Sequence, residues 1–171
     1  SKALGEIAVN KSKQASENDD NLQTNNKEIV RKYGSKYNEI EGKEENLSSS
    51  LKKATDLEKK YAALDKTYLR VKASQKAFGE DISKATDYIK KMCSQLDMNE
   101  EEIEDFMKTF EGCSDIESIV NALGTKVEEL GEQAQSAFNE IDEGTGAIKG
   151  FSDVIKNNFF HEKSKIIFKI S

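Results

Sequence analysis

The stretch that decides the fold runs from Tyr33 to Leu96, YGSKYNEIEGKEENLSSSLKKATDLEKKYAALDKTYLRVKASQKAFGEDISKATDYIKKMCSQL. Its apolar residues return every three or four positions: Tyr33, Tyr37, Ile40, Leu47, Leu51, Ala54, Leu57, Tyr61, Leu64, Tyr68, Val71, Phe78, Ile82, Ala85, Ile89, Met92 and Leu96. Glu44 and Gln75 fill the two gaps in the series. This is the period of one helix face, held for about nine heptads. It falters once, where two three-residue steps follow each other at Leu51, Ala54 and Leu57. Such a stammer overwinds a helix locally. It predicts a bend or a chain break between Ser48 and Leu57, where Ser48, Ser49 and Ser50 offer helix caps.

Working outward, Leu4, Ile7, Leu22, Ile29 and Val30 extend the same face towards the N-terminus, while Lys11, Asn18 and Asn26 interrupt it. Gly42 is the best candidate for a first turn. After Leu96, Asn99 followed by Glu100, Glu101 and Glu102 reads as an N-cap with acids at the positive end of the helix dipole. Gly112 closes that short helix. Asp115 caps the next one, whose core line is Ile116, Val120, Leu123, Val127, Leu130, Ala134, Phe138 and Ile141. Gly144, Thr145 and Gly146 mark a further turn before a last amphipathic segment.

These breaks predict helices over about 2–41, 44–97, 99–142 with an interruption near 112–115, and 146–160, followed by a basic, apolar tail at 161–171. At 1.5 Å per residue the first three would each span roughly 60–80 Å. Pieces of similar length joined by short turns pack best as antiparallel neighbours. The expected fold is therefore all-α, an elongated antiparallel four-helix bundle with long, bent helices, in one domain covering 1–171. The rival is a single bent rod from about 22 to 97 that dimerises. Tyrosines and Phe78 in the seam favour the bundle, since two-stranded zippers prefer Leu and β-branched residues there.

Composition narrows the function. The chain of 171 residues has no proline and no tryptophan, and only Arg31 and Arg70 accompany its lysines. Missing prolines argue against a many-stranded sandwich or barrel. A net charge of −6 argues against a reader of duplex nucleic acid, which needs a concentrated basic face. No window of 18 apolar residues could span a membrane.

The candidate chemical motifs are weak. The acidic run Asn99 to Asp105 fits a solvated helix start better than a metal site. Asp142 to Asp153 has the length of a calcium loop, but Gly144 and Gly146 stand where ligands belong and Ala147 replaces the required glycine. The glycines before Lys149 lack the strand and the Gly-Lys-Ser/Thr ending of a phosphate loop. His161 is the only histidine and sits at the start of the tail, next to Glu162. No catalytic, cofactor-binding or metal residue is expected, and the protein is not expected to be an enzyme. Cys93 and Cys113 flank a short helix. They fit either two thiols at helix ends or a bridge closing a loop of about 20 residues, worth roughly 3 kcal/mol, in a secreted setting.

Two features point towards contact rather than chemistry. The seam carries the polar residues Asn18, Asn26, Glu44 and Gln75, and glycines gather at Gly124, Gly131, Gly144, Gly146 and Gly150. The C-terminal segment sets Ile148, Phe151, Ile155, Phe159, Phe160 and Phe168 beside Lys163, Lys165 and Lys169, a pattern suited to an anionic membrane surface or a surface partner. The competing reading is ordinary core.

The Lys-rich, Pro-free and Trp-free composition, the polar seam at Asn26, Glu44 and Gln75, and the bend expected at Leu51 to Leu57 together resemble the small helical-bundle proteins that apicomplexan parasites secrete, those of sporozoite cell traversal in particular. The resemblance implies a secreted, non-enzymatic protein that takes part in breaching host membranes, and it carries over no site residues. The expected function is thus membrane or surface-partner contact by a secreted helical bundle, with a monomer favoured, a homodimer as the other option, and no nucleic acid involved. The alternative is a cytoplasmic coiled-coil scaffold or tether that pairs through the 33–96 seam.

Overall fold

The computed structural model describes residues 23–96, 98–143, 148 and 150–158. The described residues are helical with no strand among them. The elements are α1 (23–38), α2 (Leu47–Ala73), α3 (Gln75–Phe78), α4 (Ile82–Ser94), α5 (Glu100–Met107), a 3-10 turn (Lys108–Phe110), α6 (Ile116–Glu143) and α7 (Phe151–Asn158). The all-α class expected from the periodicity is the class observed.

By their contacts the residues form two compact units. A flanking unit holds 23–61 and 130–158, and a central unit holds 62–129. The flanking core takes Ile29, Tyr33 and Tyr37 from α1, Leu47, Leu51 and Ala54 from α2, Ala134, Phe138 and Ile141 from α6, and Phe151 and Ile155 from α7. Four helices thus each bury one stripe spaced at three or four residues, as amphipathic helices must to remove that stripe from water. The central core is built on Val71, Phe78, Ala85, Ile89, Cys93, Ile103, Phe110, Ile119 and Leu123.

Helix boundaries follow local capping chemistry. The chain turns at Gly42 with φ +86°, a left-handed conformation that glycine adopts without a Cβ clash. The Asn46 side chain then accepts a hydrogen bond from Ser49 N at 2.8 Å and Asn38 Oδ1 accepts one from Leu47 N at 3.0 Å. The cap is therefore Asn46 rather than the serine run, and the stammer residues Leu51, Ala54 and Leu57 lie within continuous helix. Asn99 accepts from Glu102 N at 2.8 Å, and Asp115 accepts from Ser118 N at 2.8 Å, so both expected caps are in place.

The long helix expected over 44–97 differs most from what is observed. α2 ends at Ala73, and after the single turn of α3 the chain passes Gly79 with φ +60°. Asp81 then caps α4 by accepting from Lys84 N at 3.3 Å. The apolar spacing conceals this break. Phe78 and Ile82 are four apart and keep the heptad phase across it, so periodicity reads straight through.

Close approach within each unit uses one glycine. A Cβ at Gly131 would stand 2.8 Å from the ring of Tyr61 in the flanking unit, and one at Gly124 would stand 3.0 Å from the ring of Tyr68 in the central unit.

Candidate functional site

α7 is the described part of the C-terminal segment singled out above. Phe151 and Ile155 are fully buried, and Ile148 is packed against the same core. The ring of Phe151 meets that of Tyr33 edge-on, centroids 5.1 Å apart at 79°, and lies 6.3 Å from that of Tyr37. In this docked state these three residues serve the core, which is the competing reading of their pattern. Phe159, Phe160, Lys163, Lys165, Phe168 and Lys169 lie outside the described residues, as do Asn18, His161 and Gly144 to Ala147.

What holds α7 is partly polar. Ser152 Oγ donates to Asp142 Oδ2 at 3.0 Å. At the other end of α7, Asn158 Nδ2 donates to Asn26 Oδ1 at 2.8 Å, and Asn26 Nδ2 donates to Thr55 Oγ1 at 2.7 Å. One chain of hydrogen bonds thus ties α7 to α1 and α2 inside the flanking unit. Asn158 and Thr55 are buried, and the Asn158 side-chain carbonyl has no hydrogen-bond partner among the described residues. An unmet buried acceptor costs about 1–3 kcal/mol. Burying Phe151 and Ile155 contributes about 1.5–3 kcal/mol each in the opposite direction. α7 is therefore docked by two apolar anchors against a polar penalty at its end.

Of the polar seam positions among the described residues, Asn26 alone enters this network. Glu44 is exposed and Gln75 half-buried. Periodicity missed Thr55 and Asn158. It also missed Glu58 and Asp65, buried acids one heptad apart on α2. These sit beside the apolar line rather than on it, and such positions are buried only when a helix is covered on more than one side. The sequence holds no local signal of that.

α1 and α2 border a groove of about 470 Å³, with Asn26 and Thr55 among its lining residues. Lys27, Lys52 and Lys59 line it, together with Val30, Leu51 and Asp56. Lys52 pairs with Asp56 at 2.8 Å.

The remaining candidates carry no such arrangement. Cys93 is buried and Cys113 half-buried in the central unit, and the two are not joined by a disulfide. Both belong to or pack against one apolar cluster, so they serve as small core residues at helix ends. The acids of α5 lie on its exposed face apart from the buried Ile103. Among the described residues no group of His, Cys, Asp or Glu could hold a metal ion, and no helix is long and apolar enough to cross a membrane. No family model, curated protein or solved structure matches the chain.

Proposed function

We propose that the chain is a non-enzymatic helical protein that works by contact with a membrane or a surface partner. In this reading α7 and the basic, apolar sequence after it form the contacting element, and they act by leaving the flanking core. The observation that carries the reading is the docking of α7 by Phe151 and Ile155 against a buried, unpartnered Asn158 carbonyl. An eight-residue helix is too short to persist alone in water, so its order depends on the surface it rests on. The face bearing Phe151 and Ile155 is also the face that would enter a bilayer interface.

The finer architecture belongs to the same proposal: an antiparallel four-helix bundle. In its support, α1, α2, α6 and α7 each give one buried stripe to the core of the flanking unit. A secreted setting, with a part in breaching host membranes, follows from the compositional resemblance and stands with it. The scaffold alternative has less support. The 33–96 series is divided among α1, α2, α3 and α4, and most of its residues are buried in the chain's own cores.

Co-sedimentation with anionic and neutral phospholipid vesicles tests this reading. Tyr33→Ala loosens the seat of Phe151 without changing α7, and should raise binding to anionic vesicles above that of the unaltered chain. Lys163→Glu, Lys165→Glu and Lys169→Glu together should abolish it. Equal sedimentation of all three proteins would defeat the reading, provided circular dichroism shows each to be folded.

A further inference from the structure

We propose that Asn46 is a site of asparagine-linked glycosylation, with the sugar carried on its side-chain nitrogen. The sequence holds two Asn-x-Ser triplets without a central proline, Asn10-Lys11-Ser12 and Asn46-Leu47-Ser48, and the second lies among the described residues. Such a triplet is the acceptor pattern of chains that enter the secretory pathway, where the attached sugar has to stand on the surface. The inference rests on the secreted setting proposed above.

Asn46 ends the segment 39–46 that joins α1 to α2, and it is exposed together with Glu44 and Glu45 before it and Ser48 and Ser49 after it. Its side chain divides two tasks between two atoms. The oxygen caps α2, accepting from Ser49 N at 2.8 Å, while no described residue accepts a hydrogen bond from the nitrogen. A sugar joined through the nitrogen leaves the amide oxygen an acceptor, so the cap and the modification coexist. The position also suits the contact role. α1 carries Asn26, bonded to Asn158 of α7, near its start and Asn38, bonded to Leu47, at its end. The helix between these two asparagines spans about 18 Å at 1.5 Å per residue. A sugar on Asn46 therefore stands at the other end of α1 from the last turn of α7 and leaves the contacting element uncovered.

The co-reactant is a lipid-linked donor, an oligosaccharide on a polyprenyl pyrophosphate. The bond from Nδ2 to the sugar C1 forms as the bond from C1 to the pyrophosphate oxygen breaks. The lipid pyrophosphate leaves with that electron pair, and Nδ2 gives one proton to a base of the transferase. The Ser48 hydroxyl is the group by which the transferase recognises the triplet. Leu47 between them is wholly buried and its N–H donates to Asn38, so the folded chain cannot extend the triplet into an enzyme. The sugar is therefore added while the chain enters the pathway, before α2 forms.

Expression of the full chain behind a cleavable secretion signal in mammalian cells tests the proposal, with the product compared before and after peptide N-glycosidase and mapped by mass spectrometry. Asn10→Gln should still carry one sugar, on Asn46. Asn10→Gln with Ser48→Ala should carry none, although the Asn46 cap is intact. Asn10→Gln with Asn46→Asp should also carry none, and it too keeps a capping oxygen. If a variant fails to fold, chain recovered from the cells with its signal removed gives the same reading, because the sugar is added before folding. A bare Asn46 on the Asn10→Gln chain, or a sugar that persists after Ser48→Ala, overturns the proposal. Because the added signal imposes entry, either result counts against the site and leaves the secreted setting standing. Native protein found in the cytosol of its own cells would overturn both.

Discussion

Gly131 packs against the ring of Tyr61 so closely that a methyl group in place of its hydrogen would stand 2.8 Å from Cε1. Tyr61 is almost wholly buried, so the ring has little room to yield. In an exposed helix, glycine to alanine would gain about 1 kcal/mol. Here overpacking, typically about 1–3 kcal/mol, opposes that gain and should outweigh it. Gly131→Ala is therefore expected to lower stability in urea titration. Gly124→Ala should cost less or nothing, since its neighbour Tyr68 is only half-buried and the approach is 3.0 Å. A clear stabilisation by Gly131→Ala would contradict the close packing.

The two cysteines give a simple chemical readout. Cys93 is fully buried in the central core, whereas Cys113 is half-buried after the Gly112 turn. A thiol reagent should modify Cys113 in the native protein much faster than Cys93, which waits for an opening of the core. In denaturant without reductant, both cysteines should titrate as thiols. A count of zero would mean they are bridged.

How much of this was legible beforehand depended on which chemistry wrote the signal. Asn99 and Asp115 were readable as caps because capping is local, set by one polar side chain and the next three residues. Gly42 and Gly112 were readable as turns for the same reason, and both have positive φ. The break at Gly79 and Asp81 was equally local, yet the unbroken phase from Phe78 to Ile82 hid it. The polar network was only half visible. Asn26 stood out because it interrupts an apolar line, but its partners lie 29 and 132 residues away and break no pattern of their own. The groove was not legible at all, since it exists only where two helices meet.

Asp115 should make acid stability depend on pH. Hydrogen bonds from the Ser118 hydroxyl and then from its backbone N–H hold the carboxyl below its ordinary value. A group depressed in the folded state contributes stability that is present above its unfolded pKa, about 3.9, and is lost as pH falls through the folded value. Asp115→Asn keeps a capping oxygen but does not titrate. The unaltered protein should therefore melt at least as high as the variant at neutral pH, and the difference should shrink on acidification. A difference that stays constant down to strongly acid pH would contradict the role of this carboxylate.

Asn158 provides the sharpest test of how α7 is held. Its amide donates to Asn26, but its buried carbonyl meets no donor among the described residues. Asn158→Leu removes that unmet acceptor, worth about 1–3 kcal/mol, and gives up one hydrogen bond worth about 1 kcal/mol. Asn26 loses a partner but is only half-buried, so water can take the vacated place. The net change is expected to run from neutral to about 1 kcal/mol of added stability. Hydrogen exchange across 150–158 should slow, because α7 spends less time undocked. Thr55→Val acts in the opposite direction, since it leaves the Asn26 amide without its acceptor while Asn158 keeps its own bond. Faster exchange in α7 on Asn158→Leu would show that the asparagine fastens the helix rather than loosening it, and would remove the main support for its release.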